Sequence, residues 1–247
     1  MRQNNDNCPS ITFVVPALNE ENDIELASKS ILDAVADYPQ LKHEIIFVND
    51  GSSDRTGEIM NEIAKRISCC RVICHSTNKG LAAAYKSALS IAVCDYIFII
   101  PGDNVIPSQD ISEILIHIGE ADIIFPYLTN GNLRYLSRRI SSRIFTIIIN
   151  ILFLNKIIYF QSVISRRYLL NSININTSSY FFLAEISIKL LQKCSSYIEV
   201  PINNTPSKKY NSVATQPKRL FGVLKDIIKV FFEVKLSCRV RCNLYIF

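Results

Sequence analysis

The sequence predicts an α/β protein: a Rossmann-like, mostly parallel sheet flanked by helices, with amphipathic helices toward the C-terminus. Three observations predict it. Short apolar runs rich in Ile, Val and Phe recur at residues 11–15, 44–48 and 96–100, and such runs suit strands buried on both faces of a parallel sheet. Between them apolar residues recur at helical spacing, as in Ile24, Ala27, Ile31, Ala34 and Val35, which gives the segment one face to lay on that sheet. Each run also leads into a polar segment: PALNEE, NDGSSDRT and PGDN. In an open α/β sheet the ligand binds outside the carboxyl ends of the strands. A row of Asn19, Glu20, Asp50 and Asp103 along one such edge suits a nucleotide or metal-nucleotide site, not a core.

Taken in order, residues 1–10 are polar and expected to be disordered. A strand over 11–15 is expected to stop at Pro16, and a helix follows over 20–37. A second strand, 44–48, leads into a turn over 50–54 whose Ser and Asp side chains suit capping of a helix over 55–67. Next come a strand over 71–75, a turn at Asn78-Lys79-Gly80 and an Ala-rich helix over 81–93. A strand over 96–100, the PGDN loop, a helix over 109–118 and a strand over 123–126 complete the alternation, which is the order of a parallel sheet. After Pro126 the character changes. Residues 134–160 are first basic, then apolar, and read as one or two amphipathic helices. Residues 181–192 read as a helix, 197–202 as a strand, 207–219 as a basic loop, and 220–235 as an amphipathic helix carrying Lys225, Lys229 and Lys235. The expected division is one α/β domain over 11–219 and a basic amphipathic segment over 220–247.

The chain has 247 residues, enough for a full core. No uninterrupted apolar span reaches 18 residues, which argues against a transmembrane helix. The N-terminal MRQNNDNCPS has no signal-peptide core, so a cytoplasmic location is expected. Eight cysteines in a chain of this length read as free thiols, since its core needs no disulfide scaffold. The net charge of +5 hides an asymmetry: residues 1–130 hold 9 Lys/Arg against 18 Asp/Glu, and residues 131–247 hold 18 against 4. An acidic half followed by a basic half implies a polyanionic surface for the second half. Its basic residues are interleaved with Ile, Leu and Phe, which favours an anionic membrane surface over nucleic acid. A dinucleotide oxidoreductase is disfavoured, because no Gly-x-Gly-x-x-Gly follows the first strand.

PALNEE, NDGSSDRT, NKGLAAAY, the GDN loop and IEVPI occur here in one order, over about residues 11–219. In that order they resemble the inverting family 2 glycosyltransferases, and most of all the dolichyl- or polyprenyl-phosphate mannosyl- and glucosyltransferases. The resemblance implies a GT-A-type fold and transfer of a sugar from a nucleoside-diphosphate sugar to a polyprenyl-phosphate lipid. It also implies that Pro16, Ala17, Asn19, Glu20 and Asp50 hold the base and ribose. Physically, a small residue after a strand-ending Pro lets a flat base approach the backbone, and Glu20 can accept from ribose hydroxyls. Asn78-Lys79-Gly80 precedes a helix, whose N-terminal N–H groups and dipole attract a diphosphate, with Lys79 adding a point charge and Gly80 the turn.

The GDN loop carries the expected metal site. Relatives have Asp-x-Asp there, often followed by Gln. This chain has Pro101-Gly102-Asp103-Asn104-Val105, so Asp103 alone is expected to bind Mg2+ or Mn2+ against the diphosphate, with weakened affinity. Glu185 matches an acidic position of the family and is expected to act as general base, to orient the acceptor or a basic side chain, or to form an ion pair with a nearby Lys or Arg. Arg138, Arg139, Arg166, Arg167, Lys208 and Lys209 are candidates for gripping phosphate. A membrane-protein partner is a further expectation, because the tail LSCRVRCNLYIF is too short to span a bilayer. Two other functions fit the motifs: a glycosyltransferase with a saccharide hydroxyl acceptor in surface polysaccharide synthesis, and a non-catalytic nucleotide-binding relative.

Overall fold

A computed structural model describes residues 9–129, 136–158, 162–179, 181–194, 196–203 and 217–243. The strands are β1 (Ser10–Ala17), β2 (Lys42–Asn49), β3 (Cys70–Cys74), β4 (Tyr96–Ile99), β5 (Ile123–Leu128), β6 (Ile164–Arg166) and β7 (Tyr197–Ile202). The helices are α1 (Ile24–Ala36), α2 (Thr56–Arg66), α3 (Leu81–Leu89), α4 (Ser108–Leu115), α5 (Leu136–Phe153), α6 (Arg167–Asn171), α7 (Phe182–Leu191) and α8 (Pro217–Asn243). The strands form one seven-stranded sheet in the order β3-β2-β1-β4-β6-β5-β7.

Every neighbouring pair is parallel except those of β6, which runs antiparallel between β4 and β5. The expected mostly parallel α/β sheet is therefore present, with one inserted strand that the sequence did not announce. At three residues β6 is too short to show a period. The expected disorder of residues 1–10 falls mostly outside the described residues, and Ser10 already opens β1. Pro16 does not stop that strand. β1 continues to Ala17 in register with Asn49, and the Pro16 carbonyl accepts the Gly102 N–H at 3.0 Å. Pairing with β4 ends at Val14, so the missing N–H of Pro16 breaks no ladder bond there.

Alternate strand residues face opposite layers, as the pleat requires. Phe13, Val15, Phe47 and Phe98 pack with Ile31 of α1, Met60 of α2 and Ile111 of α4. Val14, Ile46, Ile97 and Ile99 pack against Ala84 and Ala88 of α3 and Phe182 and Ile186 of α7. A third layer lies beyond α7. Ile149 and Phe153 of α5 and Ile227, Val230 and Val234 of α8 pack with Ala184 and Ile188 of α7. Helix α7 is thus enclosed on both sides, which is why even its Glu185, Ser187 and Lys189 are buried. This layering leaves the carboxyl edge of β1, β2 and β4 open.

Candidate active site

A cleft of ≈ 730 Å³ opens at that edge. Its floor is the end of β1 and the turn after it, with Pro16, Ala17, Leu18 and Glu20 lining it. Asp50 follows β2, and Pro101, Gly102 and Asp103 follow β4. Asn78, Gly80, Leu81 and Ala84 bring in the N-terminus of α3; Ser178, Ser179 and Gly222 close the far wall. The three polar strand endings read from the sequence therefore meet in one place.

The loops are stapled to each other before any ligand arrives. Asn19 takes a left-handed backbone, φ 56°, and its side-chain oxygen accepts the Ser53 N–H at 2.9 Å, while its own N–H donates to Ser52 Oγ at 3.0 Å. The Glu20 N–H donates to Thr56 Oγ1 at 2.8 Å. Asp54, one residue before the N-cap Arg55, accepts the Thr56 N–H at 3.0 Å at the start of α2, whereas Ser52, expected to cap with it, serves Asn19 instead. Burial would raise the Asp54 carboxyl, but the hydrogen bonds from Thr56 and Glu21 outweigh it and hold its pKa below the ordinary value.

Gly102 packs directly on β1. A side-chain methyl there would meet the Ala17 Cβ at 2.7 Å, so only glycine lets the Asp103 loop lie this close. Gly51 (φ 76°) holds the other approach, since a Cβ would stand 2.5 Å from the Thr77 carbonyl carbon.

Asp50 is buried and heavily engaged. Its carboxylate accepts the Lys79 N–H at 3.0 Å and the Gly80 N–H at 2.8 Å. His75 Nδ1 lies 2.7 Å from Asp50 Oδ1, and His75 Nε2 lies 2.9 Å from Ser87 Oγ. A chain of contacts thus runs from α3 through His75 and Asp50 to the loop that starts α3. Gly80, at φ 89°, is the residue before the helix. The unpaired N–H groups of a helix's first turn suit an anion, and Gly80, Leu81 and Ala84 line the cleft.

Other expected site residues lie elsewhere. Asn19 and Lys79 are not part of the lining; Asn19 is the staple just described and the Lys79 side chain is exposed. Glu185 is 0% exposed and does not line the cleft. It accepts the Asn176 N–H and the Thr177 N–H, each at 2.9 Å, and pairs with Lys189 Nζ at 2.7 Å. Burial would raise its pKa, but the bonds from Lys189, Asn176 and Thr177 prevail and hold it below the usual carboxylate value. Of the roles expected for Glu185, the ion pair is the one its geometry displays. Lys189 also reaches Glu233 of α8 at 2.8 Å, and Glu233 accepts from Asn176 Nδ2 at 3.1 Å. Residues 174–177 are clamped between α7 and α8, and the next two, Ser178 and Ser179, form the cleft wall.

Arg166 is a correction. It ends β6 opposite Tyr96, at the amino end of β4 and so at the sheet edge away from the cleft. Its guanidinium pairs with Asp122 at 3.3 Å and covers the Tyr96 ring at 4.8 Å. Arg167 beside it donates to the Cys94 carbonyl. An antiparallel strand carries its C-terminal residues to the wrong end for a phosphate, and this strand was not foreseen. Arg139 lies on α5 and does not line the cleft. Arg138 is in the same helix, but its side chain, like Lys208 and Lys209, is outside the described residues. Ser178, Ser179 and Gly222 were not anticipated; their one signal was the position of the two serines just before α7.

Asp103 supplies one carboxylate beside Glu20 and Asp50 in the lining. The side-chain oxygen of Asn104 is turned away, accepting from Ser30 Oγ at 3.0 Å. Among the described residues no cluster of three or more His, Cys, Asp or Glu suits a metal ion. This donor set does not make a protein-built cage. It fits a hard cation that keeps phosphate and water ligands and takes a single protein carboxylate.

The family model of glycosyl transferase family 2 matches residues 12–181, from the third residue of β1 to the residue before α7. The chain belongs to glycosyl transferase family 2. Among curated proteins it is 39% identical over 101 residues to the uncharacterized glycosyltransferase EpsJ of Bacillus subtilis, a match spanning 40% of this chain and 28% of that one. It is 32% identical over 96 residues to poly-beta-1,6-N-acetyl-D-glucosamine synthase of Staphylococcus epidermidis, spanning 39% of this chain and 22% of that one. The chain thus matches less than a third of the length of either relative. Among solved structures, glucosyl-3-phosphoglycerate synthase of Mycobacterium tuberculosis with Mg2+ and UDP superposes with TM-score 0.64 at 16% identity, covering 91% of this chain and 79% of that one. TarS residues 1–349 of S. aureus gives 0.60 at 20% identity, covering 90% and 65%. These two likenesses establish the GT-A-like fold.

Proposed function

We propose that this chain transfers one sugar from a nucleoside-diphosphate sugar to a polyprenyl-phosphate lipid, with inversion, while resting on the cytosolic face of an anionic membrane. The observation that carries the reading is the convergence of Glu20, Asp50, the α3 N-terminus and Asp103 on one cleft. In this reading Pro16, Ala17, Glu20 and Asp50 hold the base and ribose, and the diphosphate lies between Gly80 and Asp103. Asp103 would hold Mg2+ or Mn2+, which when bound neutralises charge on the departing diphosphate. The synthase structure from M. tuberculosis is described with Mn2+, UDP-glucose and phosphoglyceric acid, which supports a metal and a nucleotide sugar in a cleft of this fold.

The chemistry is one in-line displacement. The bond from the anomeric carbon to the diphosphate oxygen breaks as the acceptor oxygen bonds to the opposite face of that carbon. Positioning and charge stabilisation carry the catalysis. A phosphate acceptor is already anionic and needs no general base, in keeping with a Glu185 that is buried, paired and outside the cleft lining. Arg138, Arg139, Lys208 and Lys209 remain proposed phosphate contacts.

A saccharide hydroxyl acceptor is the second reading, favoured by the likeness to a polysaccharide synthase; it requires a base, for which Glu20, Asp50 and Asp103 are the lining carboxylates. The experiment is turnover of GDP-mannose, UDP-glucose and UDP-N-acetylglucosamine with short polyprenyl phosphate or with an oligosaccharide, in Mg2+, Mn2+ or EDTA. Metal-dependent glycolipid from one donor is expected. Product only on the oligosaccharide would favour the second reading; nucleotide binding with no turnover on either acceptor would indicate a non-catalytic relative.

A further inference from the structure

Helix α5 is apolar on two opposite sides, and α8 carries a second apolar stripe about a third of a turn from its buried one. Ile149 and Phe153 of α5 and Ile227, Val230 and Val234 of α8 face the third core layer. About half a turn away on α5, Ile144, Ile147, Ile148 and Ile151 are 45–69% exposed, and about a third of a turn away on α8, Leu224, Ile228 and Phe232 are 50–60% exposed. Exposed apolar patches of this kind mark docking surfaces. The two helices adjoin: the rings of Phe153 and Phe231 lie 6.0 Å apart, and Phe232, next to Phe231, points outward.

The charges on these helices are sorted. Lys225, Lys229 and Lys235 of α8 are exposed beside its apolar stripe, and Arg143 of α5 is exposed beside Ile144 and Ile147. The acidic residues of α8 turn the other way. Asp226 and Glu233 are only partly exposed, and Glu233 is bound by Lys189. Among the described residues no helix is long and apolar enough to cross a membrane. An apolar stripe edged by lysines whose stems can cover apolar surface is the pattern of a helix lying in the headgroup region. A second copy of the chain is a poor occupant, because pairing these faces would bring the same Lys and Arg rows together.

We propose that the outer faces of α5 and α8 are the surface by which this protein docks on an anionic lipid bilayer. This rests on the membrane setting of the proposed function and assigns it to named residues. Because α8 also carries Gly222 at the cleft wall, docking sets the cleft beside the bilayer from which a lipid acceptor would come.

The test is co-sedimentation of the full chain with phosphatidylcholine vesicles and with vesicles containing phosphatidylglycerol, with no donor or acceptor present. Binding at least ten-fold stronger to the anionic vesicles is expected, weakening as salt rises. Ile147→Ser/Ile151→Ser on α5 and Ile228→Ser/Phe232→Ser on α8 should each lower it ten-fold or more, and Lys225→Glu/Lys235→Glu should erase the preference for anionic lipid. Unchanged melting temperatures of these exposed-site variants would show that the fold is kept. No vesicle binding by the parent chain, or binding indifferent to all three variants, overturns the proposal. So does a dimer in size-exclusion chromatography that the serine variants convert to monomer, since that gives the face to a second copy. Turnover in detergent with short-chain polyprenyl phosphate reads the cleft separately, so loss of docking and loss of the transfer reading are distinguishable.

Discussion

The Asp50 carboxylate accepts from two backbone N–H groups and touches His75, so its first effect is on the shape of its own surroundings. His75 is a positioning residue in this arrangement. Replacing it with Ala should loosen the Lys79–Gly80 turn and raise the KM for the sugar nucleotide about ten-fold, the equivalent of one hydrogen bond to a charged group, with a smaller change in kcat. His75→Gln should recover part of it. Equal losses in kcat and kcat/KM would contradict that role. Glu185 makes the opposite point, because its neighbours, not its residue type, decide what it does. Glu185→Gln leaves Lys189 without one of its two carboxylates and should cost roughly 3 kcal/mol in denaturant unfolding. Its folded pKa is depressed, so its contribution to stability is full above the ordinary carboxylate value and is lost as pH falls through the lower folded value. Between about pH 5 and pH 3 the parent should therefore lose melting temperature faster than the Gln variant. Sequence alone left Glu185 between base, orienting contact and ion pair, since the partners of a buried carboxylate come from residues 174–177 and from α8, which no local pattern links to it.

At the level of elements, the strand endings were legible because each combined a local apolar run with a polar segment. Pro16, Ala17, Glu20, Asp50, Gly102 and Asp103 were named from those runs and line the cleft, whereas Asn19, named with them, does not. What was not legible is what depends on pairing across the chain. β6 has three residues and gains its order only from β4 and β5; missing it put Arg166 at the wrong sheet edge. The inter-loop staples are equally non-local. Gly51→Ala tests them: its Cβ would collide with the Thr77 backbone in a left-handed conformation, and a loss of roughly 2 kcal/mol is expected, with weaker nucleotide binding. A variant as stable as the parent would mean that the turn after β2 and the loop before α3 need not touch.

Across the whole molecule, the acidic and basic halves of the sequence have distinct structural places. The cleft carboxylates Glu20, Asp50 and Asp103 all come from the acidic first half, while α5 and α8, with their exposed Arg and Lys, come from the basic second half. Composition alone foretold the polarity but not that one helix, α8, would touch the cleft wall with Gly222 and solvent with Phe232. The central claim is that the carboxyl-edge cleft is a sugar-transfer site with Asp103 at its pivot. The measurement that tests it most directly is the steady-state rate of donor consumption by the parent chain and by Asp103→Asn, a near-isosteric change, each with its melting temperature recorded. The account predicts a fall of about 10²–10³-fold with the melting temperature unchanged. Equal rates in the two proteins would remove Asp103 from the mechanism and contradict the account.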